Sequence, residues 1–203
     1  MGQGLATVGQ KRPDIGIDLI DDGIWNGVPI GGFGAGAIGR TFAGDYRRWH
    51  LDVGIHRVGS VEANQFSVFQ RTGISTTAQV LWTWHPDGDP TNRPLKTWTF
   101  DYPGSAGTYY ALFPKAWWDY SGNDAFPVAL SCVQFSPIIP GNYQESSYPV
   151  GIYKWTARNR STNAADVSVM LTWENMTGWD LDDSSRWRAS ITDPLWGKSQ
   201  GCY

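Results

Sequence analysis

The chain has 203 residues, 41% of them hydrophobic and 17% charged, with a formal net charge of −3. That balance excludes a disordered chain, a basic nucleic-acid binder and a polybasic membrane-surface protein. The outlier is the aromatic content, 12 Trp, 9 Tyr and 8 Phe, set among 24 Gly and 12 Pro.

Aromatic strands punctuated by Gly and Pro turns predict an all-β fold, and the length suffices for one sizeable core. Residues 1–24 are polar and rich in Gly and Asp, and read as an extended lead-in. The run Gly27-Val-Pro-Ile-Gly-Gly-Phe-Gly-Ala-Gly-Ala-Ile-Gly39 follows, with six glycines. So many glycines predict a loop of bare backbone rather than a regular element, because each weakens a helix or strand. Gly34, Gly36 and Gly39 spell G-x-G-x-x-G. A dinucleotide site needs a strand before that motif and a helix opening at it. Gly27 and Pro29 argue against the strand, and Gly44 argues against the helix, so the nucleotide reading is set aside.

Arg40, Arg47, Arg48, Trp49 and His50 crowd the next stretch. Two readings compete there. In one, Arg40 and Arg48 bond local carbonyls and Trp49 is core. In the other, the segment presses on a ligand or a second domain.

Further along, residues 64–70 and 78–84 read as strands, the second with Val80, Trp82 and Trp84 on one face. His85-Pro-Asp-Gly-Asp-Pro is a turn. Lys96–Phe100 reads as a brief strand, with Trp98 and Phe100 alternating against Thr97 and Thr99. Residues 108–113, 126–135 and 150–158 are further candidates. Asp166–Glu174 alternates most clearly: Val167, Val169, Leu171 and Trp173 face inward, while Glu174 joins the polar face. Arg186–Thr192 repeats the pattern. Eight or so short strands without a helical period predict a two-sheet antiparallel β-sandwich. The stop at Tyr203, soon after a good strand, predicts a sandwich truncated at its C-terminus.

Cys132 and Cys202 form neither a metal-ligand pair nor a disulfide framework, and His50, His56 and His85 have no ligand spacing. No cofactor or metal is expected, and the loop with Asp180, Asp182 and Asp183 reads as a solvated turn. No stretch approaches the ~20 apolar residues of a membrane span. The N-terminus lacks the apolar core of a secretory signal, so a cytoplasmic protein is the expectation.

Several collinear segments resemble one family. Gly27–Trp49 (GVPIGGFGAGAIGRTFAGDYRRW) resembles the opening signature of glycoside hydrolase family 116, the family of the non-lysosomal glucosylceramidase, or bile-acid β-glucosidase. Residues 61–69 resemble the strand after it, and Tyr109–Trp117 resembles the family's ALYPRAW segment. Phe135–Gly151 resembles its TPILPHDYQDSSLPVG segment. The resemblance implies residues 25–203 as most of an N-terminal β-sandwich, followed in the family by a catalytic (α/α)6 barrel. It implies β-glucoside substrates, glucosylceramide-like or other, and no cofactor. The family's glutamate nucleophile and aspartate acid/base have no match in this chain, so no catalytic residue is assigned. Arg40, Trp49 and His50 become the candidate residues for substrate binding or the domain border. The alternative is a free-standing carbohydrate-binding sandwich that offers Trp82, Trp84, Trp117 or Trp118 as a platform.

Overall fold

The computed structural model describes residues 2–4, 27–52, 55–83 and 95–174. Every described strand pairs antiparallel. Strands β2 (Val28–Ile30), β3 (Ala37–Arg40), β4 (Tyr46–Asp52) and β5 (Ile55–Val58) form a meander of four. Strands β6 (Gln65–Thr72) and β7 (Ser75–Val80) make a hairpin, and β12 (Ala165–Thr172) lies on the other side of β6. The third sheet runs β1 (Gly2–Gly4), β8 (Thr108–Leu112), β9 (Lys115–Asp119), β10 (Val128–Phe135) and β11 (Ile152–Asn159). A four-residue helical turn, α1 (Tyr143–Ser146), lies between β10 and β11.

Period-two patterning decides which face each strand buries. In β9 and β10, Ala116, Trp118, Leu130 and Cys132 point inward and are at most 2% exposed. The second layer meets them with Phe66 and Val68 of β6 and with Val28, Ile30, Tyr46 and Trp49 of the meander. Phe66 packs edge-on against Tyr153 and Trp155 at 4.9 and 5.1 Å. Each aromatic side chain so buried contributes about 2–3 kcal/mol by area removed from water. The fold is therefore an all-β sandwich of two layers, the second divided between the three- and four-stranded sheets.

Two buried glutamines tie the layers. Gln70 brackets Val128, accepting from its N–H at 2.8 Å and donating to its C=O at 2.9 Å. Gln134 donates to the carbonyl of Val28 at 3.2 Å. Such side chains take over backbone groups that would otherwise be buried without partners.

Two expectations need correction, the bare glycine loop and the Lys96–Phe100 strand, while the rejection of the nucleotide motif holds. The glycine run is not a bare loop: Val28–Ile30 and Ala37–Arg40 are paired strands, and Pro29 is tolerated because β2 is an edge strand. No helix opens at Gly34–Gly39, so the nucleotide motif lacks its context. Lys96–Phe100 is not a strand. Leu95–Trp98 turns, with Trp98 N–H bonded to Leu95 C=O, and Gln79 takes the Thr99 and Phe100 carbonyls. Phe100 still buries against Trp82, in a small second core with Val80.

At the end of β12 the alternation fails. Leu171 and Trp173 are 45% and 39% exposed, while Glu174 is 9% exposed. Pairing stops at Thr172, and the chain then turns so that the Glu174 N–H bonds Asn64 Oδ1 at 2.6 Å. Trp84, Arg186–Thr192 and the Asp180–Asp183 loop lie outside the described residues.

Candidate functional site

Three connections leave the sandwich at one end. Strand register fixes this: Leu112 pairs with Lys115, Lys115 with Phe135, and Phe135 with Ile152. The β8–β9 turn and the long β10–β11 connection therefore emerge side by side. The tip of the β2–β3 hairpin joins them through hydrogen bonds. Phe33 N–H donates to the Ser146 carbonyl at 2.9 Å. Ser136 Oγ accepts from the Gly31 N–H at 2.7 Å and donates to the Val150 carbonyl at 2.8 Å, so one hydroxyl ties three segments.

The backbone here is tightly determined. A Cβ at Gly32 would lie 2.3 Å from the Ser147 carbonyl oxygen, so only glycine permits this approach. Gly36, at φ +83°, would place a Cβ 2.8 Å from the His50 carbonyl oxygen. Asn142 caps α1 by accepting from Glu145 N–H at 3.1 Å. The buried Ser146 hydroxyl accepts from Ile139 N–H at 2.9 Å. On this fixed frame the outward side chains are large and apolar: Phe33 is 52% exposed, Tyr143 79% and Tyr148 48%. Phe113, Ile139 and Val150 are also exposed. Exposed aromatics on a rigid backbone can be buried by a partner at small entropic cost.

The three residues singled out from sequence separate here. His50 lies beside the tip, on the strand position paired with Ala37, and is half-buried. Trp49 is 1% exposed; its Nε1–H donates to the Gly59 carbonyl at 2.8 Å and its ring meets Trp173. Arg40 is fully buried. Its Nε donates to the Gly44 carbonyl at 3.2 Å and Nη2 to the Tyr120 hydroxyl at 3.0 Å. Its guanidinium carbon sits 4.1 Å from the Trp118 ring centre and 5.0 Å from that of Phe66. The nearby Asp45 carboxylate accepts instead from the Thr41 and Ser60 hydroxyls.

Burial pushes the Tyr120 phenol up to about 12, against the pull of Arg40, so its hydroxyl stays protonated. Burial likewise pushes the Cys132 thiol up to about 11, which leaves it an inert core residue.

A family model described as beta-glucosidase 2, glycosyl-hydrolase family 116 N-term, matches residues 27–202. The chain belongs to this family. The match opens on Gly27, where β2 and the tip begin, and spans all three segments that converge at the end. Among the described residues, no group of three or more His, Cys, Asp or Glu could hold a metal ion. No helix among them is long and apolar enough to cross a membrane.

Sequence reasoning missed the residues that meet the glycine run and make the end a unit: Ser136, Tyr143, Ser146 and Tyr148. The available signal was the Pro, Gly and Ser density of residues 136–151, which marks an elaborate connection. It did not say what that connection touches.

Proposed function

We propose that this chain is the non-catalytic N-terminal domain of a retaining β-glucosidase, and that it packs on a C-terminal catalytic domain through the end just described. The observation that carries this reading is the convergence itself. Three segments far apart in sequence, each resembling a family 116 signature, come together as a rigid frame with exposed aromatic side chains. Phe33, Tyr143 and Tyr148, with His50 at the edge, form the border surface. Arg40 and Trp49 hold β3 and β4 beneath it rather than meeting the partner themselves.

In the catalytic domain, two carboxylates would perform a double displacement. A glutamate attacks the anomeric carbon as the aglycone leaves, protonated by an aspartic acid. Water, deprotonated by the same aspartate, then releases glucose and frees the glutamate. This chemistry uses no cofactor, and this chain alone would be inactive. The proposed substrate class is β-glucosides, with glucosylceramide as one candidate. A cytoplasmic location is part of the proposal.

The first test is the mass of the native gene product and its action on an aryl β-glucoside. A product several times larger than 22.5 kDa with that activity supports the reading. A native product of 22.5 kDa would overturn it.

A further inference from the structure

The five-stranded sheet has a second face, turned away from the core. Register places its outward side chains in rows. Leu112, Lys115, Phe135 and Ile152 form the row that borders the end; Tyr110, Trp117, Val133 and Lys154 form the next. Leu112 is 73% exposed and Tyr110 45%. Lys115 Nζ lies over the Phe135 ring at 5.8 Å, which keeps that cation on the apolar row. With Arg158 further along β11, three cations on this face stand against one carboxylate, Asp119. The whole chain has the opposite sign, −3.

Area decides what such a face can do. Four strands about 4.8 Å apart, over about 20 Å of their length, present roughly 400 Å². A stable interface needs about 800 Å² per partner, so this face is too small to hold a partner of its own. Through the row from Leu112 to Ile152 it runs without a break into the apolar end.

We propose that the face and the end form one docking surface. It fits an apolar protein surface rimmed by carboxylates, and that surface belongs to the catalytic domain. The inference rests on the domain-packing reading above and adds the partner's chemistry: its contact opposite β11 is acidic. Long-range attraction between exposed charges weakens with salt, so docking here is salt-sensitive, whereas packing of the aromatic tip is not.

The test uses the whole gene product, unfolded by urea at about 0.05 M and about 0.5 M salt. Lys154→Glu with Arg158→Glu is compared with Phe33→Ser plus Tyr148→Ser, and with Arg71→Glu on the other layer. Circular dichroism checks that each folds. The expected result is one coupled transition in the wild type at low salt. The β11 reversals split it into two, high salt moves the wild type the same way, Arg71→Glu does not split it, and Lys154→Gln with Arg158→Gln falls between. If the tip variant splits the transition and the β11 reversals do not, this inference fails while domain packing stands. If neither splits it, domain packing fails and the inference with it. Loss of retention on a soluble β-glucan gel, with the transition still single, would make the face a glycan platform and overturn the inference.

Discussion

Arg40 is a cation with no exposure, held by two aromatic rings, a phenol and a carbonyl rather than by the adjacent Asp45. A buried charge is tolerated only where its partners replace water, and a guanidinium cannot shed its proton to escape. Arg40→Ala leaves a cavity and orphans the Tyr120 hydroxyl; it should cost about 3 kcal/mol in urea unfolding. Arg40→Lys should cost about 2 kcal/mol, because an ammonium cannot stack on Trp118 and bond both oxygens. A loss below about 0.5 kcal/mol in both would mean the guanidinium is idle. Glu174 makes the opposite case. Burial raises its carboxyl from 4.5 to about 7, so between those values the folded chain holds a proton that the unfolded chain has released. Stability should therefore fall as pH rises from 4.5 to about 7, and Glu174→Gln should flatten that slope. An unchanged slope in the glutamine variant would place the titration elsewhere.

The β2–β3 hairpin shows how an element depends on a neighbour distant in sequence. Gly32→Ala must push the tip off Ser147, breaking the bond from Phe33 N–H to Ser146. The expected cost is about 1–3 kcal/mol, with faster amide exchange at Phe33. A neutral Gly32→Ala with Phe33 still protected would show that the approach is loose. Strands whose faces differ were legible in sequence: Val167 and Val169 alternate with Asp166 and Ser168, and β12 begins within one residue of its expected start. Lys96–Phe100 was misread because its Thr and Trp alternate, although Trp98 N–H closes a turn on Leu95 and the Gln79 side chain takes the Thr99 and Phe100 carbonyls. Glu174 was misread because alternation binds a residue only while its strand is paired. The strands of the glycine run were hidden because pairing with β4, not propensity, makes β3. The end was out of reach for the same reason. Its joint is Gly31 with Ser136, 105 residues apart, and neither residue type announces the other.

At the scale of the whole molecule, coupling between this sandwich and the proposed catalytic domain is the property that separates the packing reading from a free-standing binding module. An active-site inhibitor at about 100 times its Kd stabilises whatever binds it by about 2.7 kcal/mol. If the catalytic domain alone bound it and the sandwich were only tethered, the sandwich would unfold at its usual temperature. If the two are packed through Phe33, Tyr143 and Tyr148, the sandwich must follow its partner upward. The tryptophans make that visible: Trp49, Trp82 and Trp118 are at most 2% exposed, so their emission reports the sandwich core. A sugar-mimicking β-glucosidase inhibitor should therefore raise the sandwich transition in the whole gene product. It should leave that transition where it was in Phe33→Ser with Tyr148→Ser, and in residues 1–203 alone. A shift of the same size in residues 1–203 alone would put the sugar on this chain, because linkage stabilises only the unit that binds.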